Sequence, residues 1–256
     1  MVKDPSSHSA CKHEWERIAL QKRNDQENAL AKFADWRINV LKPTSDVSQL
    51  PLKKLTDGEQ SIVNCDATTL ADLIRKRVYT SVEVVFAFAK AAVVSQDATN
   101  YLTEIFIEEA LDRAQELDKH LEVSGNVVGP LHGVPVSIKD HIKIMGLDMS
   151  TGNISRAYKE YADKDAVVVD ILRKAGAVLF VKTQNPQSYS SLETTNNICG
   201  RTINPFNTKF TSGGSSGSES ASISCHGSNL GVGADIGCSI RVPAAHCSLH
   251  GLKALN

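Results

Sequence analysis

At 256 residues, the chain has the length of one large domain or, less readily, two small ones. Its 28 basic and 29 acidic side chains nearly cancel, to a net charge of −1, which excludes the electrostatic footprint of a nucleic-acid or anionic-membrane binder. With 41% hydrophobic and 22% charged residues it can bury a sizeable core, so neither disulfides nor a metal is needed to hold a fold.

The N-terminus lacks the apolar core of a secretory signal, and no apolar run is long enough for a membrane span. The six cysteines are scattered without C-x-x-C spacing, so free thiols in a reducing, cytoplasmic setting are expected. Residues 1–65 read as an extension: a charge-rich helix through EWERIALQKRNDQENALAKFADWRI, then an irregular stretch past Pro43 and Pro51. Three amphipathic helices are expected next. Leu70, Leu73 and Ile74 mark a face of the first. The second opens on a capping box, Thr80 with Glu83, and continues through VVFAFAKAAVV. Ala110, Ala114, Leu117 and Leu121 stripe the third.

At Gly129 the pattern changes. GPLHGVPVSIKD reads as a turn and a short strand over 134–138 that ends in a charged pair. A helix over about 165–175 and a buried strand over 177–181 complete a βαβ rhythm, which argues for an α/β protein with a covered sheet. Residues 185–218 read as loop. The closing GLKALN has no cap, polar tail or turn, and reads as a sequence cut short.

Three features could carry chemistry. Lys139 ends an apolar strand, where partial desolvation would lower its pKa toward that of a general base; a strand-end lysine can equally reach solvent. Thr211 to Glu219, TSGGSSGSE, offers hydroxyls on a backbone that turns tightly, or a flexible linker. GVGADIGCSIRVPA places Ser239 in a turn where successive N–H groups could face an oxyanion, or it is a structural glycine loop. His246 and His250 have the spacing of zinc ligands on a helix, but two ligands do not make a site, and no metal or cofactor is expected.

Together these motifs resemble the amidase signature family, through Gly133-Val-Pro135 to Lys139-Asp140, Gly213-Gly-Ser215-Ser216-Gly217, and Asp235-Ile-Gly237-Cys-Ser239-Ile-Arg241-Val-Pro243-Ala244. TNYLTEIFIEEALDRAQELDKHL is similar to its fungal acetamidase-like branch. The resemblance covers residues 66–256 and implies the N-terminal part of an amidase domain: an α/β fold with a mixed central sheet under helices, incomplete at the C-terminus. It implies Ser239 as nucleophile toward a small-molecule amide, Ser215 as proton relay and Lys139 as base. It further implies an oxyanion hole from the N–H groups of Ile236, Gly237, Cys238 and Ser239, with Ser216, Asp235 and Arg241 as orienting residues. Ser188 and Tyr189 would border the acyl pocket. Oligomeric state has no signal.

Four positions depart from the family pattern: Ala234 for Thr, Cys238 for Gly beside the nucleophile, and Ser218 and Ser248 for Gly. Two other readings stay open. Residues 213–217 satisfy G-x-S-x-G, the elbow of an α/β-hydrolase, although NPFNTKFTS before them is polar and broken by Pro205. The chain could also keep the fold without turnover.

Overall fold

A computed structural model describes residues 13–39 and 46–254. Helix α1 (Glu14–Ala31) is followed by α2 (Asp57–Val63), α3 (Ala67–Arg75) and α4 (Ser81–Thr99). Strand β1 (Leu102–Ile105), helix α5 (Ile107–Ser124), strand β2 (Pro135–Lys139), helix α6 (Val167–Lys174) and strand β3 (Val178–Thr183) come next. Two small ladders pair β4 (Thr195–Asn196) with β5 (Gly200–Arg201), and β6 (Ile203–Asn204) with β7 (Asn207–Thr211). The described chain closes with α7 (Gly217–Ser224), β8 (Gly231–Val232) and α8 (Arg241–His246).

The main sheet has the order β1-β3-β2-β8, with β1 antiparallel to β3 and the other pairs parallel. This is the mixed, helix-covered α/β sheet that the sequence implied. Alternation along β2 assigns its two faces. Val136 and Ile138 pack against Val169 and Leu172 of α6. Ser137 and Lys139 therefore project from the opposite face, where α7 lies. In β3, Val178 and Phe180 join the larger core with α3, α4 and α5, while Leu179 joins the core under α6.

Several sequence expectations are corrected. Among the described residues four α-helices, not three, precede β2 once α1 is set aside; α2 carries its own capping box, Thr56 with Glu59. Helix α4 is not amphipathic but buried almost all round, because α2, α5, α7 and the sheet close on it from different sides. Residues 102–105, for which the sequence carried no expectation, form the edge strand β1. That edge is covered by α1: Gln26 Nε2 donates to Leu102 O at 2.6 Å, and Lys22 bridges Glu104 and Asp148 at 2.7 and 2.8 Å. Covering an edge in this way blocks further strand pairing. Within 185–218, read as loop, lie the two ladders and the start of α7. No helix among the described residues is long and apolar enough to cross a membrane.

Candidate active site

Lys139 is the last residue of β2 and is 1% exposed. Its Nζ donates to Ser215 Oγ at 2.6 Å and to Ser216 Oγ at 3.0 Å. Burial pushes its pKa down to about 8, against the opposing negative charges of Glu219 and Asp235. The alternative of a solvent-reaching lysine is thereby excluded. Ser216, expected only as an orienting residue, touches the lysine directly, and its N–H donates to Ser239 O at 3.0 Å.

The serine pair sits where the loop enters α7. The Gly214–Ser215 peptide bond is cis, and Gly213 has φ +82°. A Cβ on Gly213 would lie 2.7 Å from Pro243 Cα, so this loop rests directly on α8, the helix that follows Ser239. Residues 212–220 are buried and packed against α8, so the linker alternative falls.

Ser239 precedes α8 and is held by Asp235. The buried Asp235 carboxylate accepts from Arg241 Nε and Nη2, both at 3.0 Å, and from the N–H groups of Cys238 at 2.7 Å, Ile240 at 3.0 Å and Arg241 at 3.3 Å. The Arg241 guanidinium first, and these N–H groups after it, hold its pKa well below the usual carboxylate range. Asp235 and Arg241 thus tie the turn together. The same bond corrects one expectation: the Cys238 N–H is taken by Asp235 and is not free for an oxyanion. The N–H groups of Ile236, Gly237 and Ser239 have no protein acceptor among the described residues.

Cys238 itself has φ +72°, the left-handed region that favours glycine. The side chain that replaces the family's glycine therefore sits where a Cβ is costly. Replacing Cys238 with glycine should raise the unfolding free energy by about 1 kcal/mol. A urea denaturation midpoint that does not rise would count against this.

A cavity of about 210 Å³ is lined by Lys139, His141, Tyr189, Ser215, Ala234, Ile236 and Ser239. It brings the three expected catalytic residues together with Ile236 and Tyr189. Ser188 has φ +64° but does not line the cavity. Sequence reading missed His141, next to the Lys139-Asp140 pair. Its ring meets Tyr189 edge-on at 5.0 Å, its Nδ1 is buried without a partner among the described residues, and burial, then the charges of Lys139 and Lys182, push its pKa down to about 4. Only its place beside the motif could have pointed to it. His246 ends α8 and His250 lies beyond that helix, and among the described residues no group of three or more His, Cys, Asp or Glu could hold a metal.

The buried lysine thus bonds two serine hydroxyls, with a third serine on the same cavity, and among the described residues no histidine imidazole is bonded to Ser215, Ser216 or Ser239. An α/β-hydrolase elbow would need such a histidine, and no apolar strand leads directly into residues 213–217. A model of the Amidase family matches residues 83–255. The chain is 42% identical to an acetamidase of Emericella nidulans over 93% of its own length and 43% of that protein's. It is 40% identical to an acetamidase of Aspergillus oryzae over 93% of its own length and 44% of that protein's. Among solved structures, a fatty acid amide hydrolase superposes with a TM-score of 0.85 at 37% identity, covering 91% of this chain and 42% of that one. The chain belongs to the amidase signature family. It spans less than half the length of these relatives.

Proposed function

We propose that this chain carries the reactive groups of a serine amidohydrolase, which cleaves carboxylic amides to carboxylate and ammonia or amine. The observation that carries the reading is the bond from buried Lys139 Nζ to Ser215 Oγ at 2.6 Å, beside a cavity shared with Ser239. Ser239 Oγ attacks the amide carbonyl as its proton passes to Ser215 Oγ and on to neutral Lys139. The oxyanion forms against the N–H groups of Ile236, Gly237 and Ser239. Its collapse breaks the C–N bond, and Lys139 returns the proton through Ser215 to the leaving amine. Water then attacks the acyl-Ser239 ester by the same relay.

Acetamidases among the relatives, and a small cavity walled by Ala234, Ile236 and the Tyr189 ring, support a short aliphatic amide as substrate. Because only neutral Lys139 accepts the proton, the rate should climb as pH rises through about 8. A second reading, a chain that keeps the fold without turnover, is favoured by the left-handed Cys238 beside the nucleophile. Ser239→Ala decides between them. Acetamide hydrolysis followed by ammonia release should fall by at least about 10³-fold; equal rates in parent and variant would reject catalysis by Ser239.

A further inference from the structure

Glu219 is a buried carboxylate that the relay does not use. It lies in the first turn of α7, at i+4 from Ser215 and i+3 from Ser216. Hydroxyls from two strands hold its two oxygens: Ser137 Oγ donates to Oε2 at 2.5 Å, and Thr183 Oγ1 to Oε1 at 2.6 Å. A third strand, β8, closes on the same carboxylate. A Cβ on Gly231 would stand 2.1 Å from Oε2, so glycine there leaves the room that the carboxylate occupies. Ser137 and Lys139 share one face of β2, which sets this cage beside the base. No ion pair within 4 Å joins the two groups among the described residues.

We propose that Glu219 is a positioning residue: its caged negative charge sets the proton affinity of Lys139 and hence the pH at which the base becomes available. This rests on the reading of Lys139 as the base. A buried anion favours the protonated amine, so it opposes the desolvation that drives Lys139 toward neutrality. Burial also pushes Glu219 up to about 7, against its two hydroxyl donors and the charge of Lys139, so it is ionised where Lys139 titrates. The other groups in range are accounted for. Asp235 acts on Lys139 but is tied to Arg241, His141 is neutral here, and the buried Tyr101 phenol near Glu219 is held neutral by burial.

The test is a pH titration of the full chain by NMR with ¹³Cε-labelled lysine, Lys139 being assigned by its absence in Lys139→Met. Glu219→Gln should lower the Lys139 midpoint by about one pH unit. Ser137→Ala, which removes one donor that favours the anion, should lower it in the same direction by less. The rate of Ser239 modification by a fluorophosphonate should show its acid limb displaced in parallel. A folded Glu219→Gln chain whose Lys139 midpoint stays put or rises overturns the proposal. If that variant does not fold, the midpoint in Ser137→Ala decides alone. A Lys139 midpoint that falls while Ser239→Ala still hydrolyses acetamide at the parent rate would sink the reading of Ser239 as nucleophile and leave only the charge coupling of Glu219 to Lys139 standing.

Discussion

Replacing Lys139 with methionine should slow amide hydrolysis by about 10³-fold while making the protein harder to unfold at pH 6. The loss follows from removing the one group that, among the described residues, is bonded to Ser215 Oγ and can take up a proton. The gain follows from burial. Lys139 has an ordinary pKa of 10.5 and a folded one of about 8, so between these values the unfolded chain binds more protons at this residue and stability rises with pH. Above 10.5 both states are neutral and the term vanishes; below about 8 the folded state carries the full penalty of a buried ammonium. That penalty is on the order of 3 kcal/mol. Losing two hydrogen bonds to serines offsets about 2 kcal/mol of it, which leaves a net gain of about 1 kcal/mol. Glu219 works in the opposite window: its pKa rises from 4.5 to about 7, so its contribution falls as pH rises between them, and at pH 6 it is largely neutral. Urea denaturation at pH 6 and ammonia release at pH 8.5 separate the two effects. A variant that hydrolyses amide at the parent rate would end the base assignment, and one that is less stable would show that the lysine's hydrogen bonds outweigh its desolvation.

Gly213→Ala should cost about 3 kcal/mol of stability and most of the activity, although residue 213 touches no reacting group. Two effects add. A side chain at φ +82° is strained by about 1–2 kcal/mol, and the new Cβ meets backbone, Pro243 Cα at 2.7 Å and Pro243 N at 3.0 Å, which cannot rotate away. Relief requires the loop holding Ser215 to part from α8, and Ser216 N–H would then lose Ser239 O. Stability and rate should therefore fall together, and Ser239 labelling by a fluorophosphonate should slow more than denaturation alone explains. A fully active, stable Gly213→Ala chain would show that the two loops need not touch.

Much of the sheet was legible because its signals are local. The capping box at Thr80, the apolar β2 and β3 segments, and the α6 helix each lie within a few residues; the bounds of β2, β3 and α6 fall within two residues of those expected, while α4 starts where its cap places it and runs on to Thr99. Strand β1 was not, because its four residues, LTEI, mix polar and apolar side chains, and pairing with β3 makes them a strand. Nor was the burial of α4, since VVFAFAKAAVV fits one face of a helix or all of them until its neighbours are placed.

The sequence by itself determined the family and the addresses of Lys139, Ser215 and Ser239, because spaced glycines, serines and a lysine are chemical facts of the chain. Only the tertiary structure decided what those residues can do. Proton affinity depends on what surrounds a group: Lys139 is lowered by burial between β2 and α7, and Glu219 is raised in a cage drawn from β2, β3 and β8. Hydrogen-bond donors likewise become available or not through folding, as when Asp235 takes the Cys238 N–H and leaves those of Ile236, Gly237 and Ser239 facing no protein acceptor among the described residues. Charge and hydrogen bonding act through space, between residues that the linear order keeps up to about a hundred positions apart.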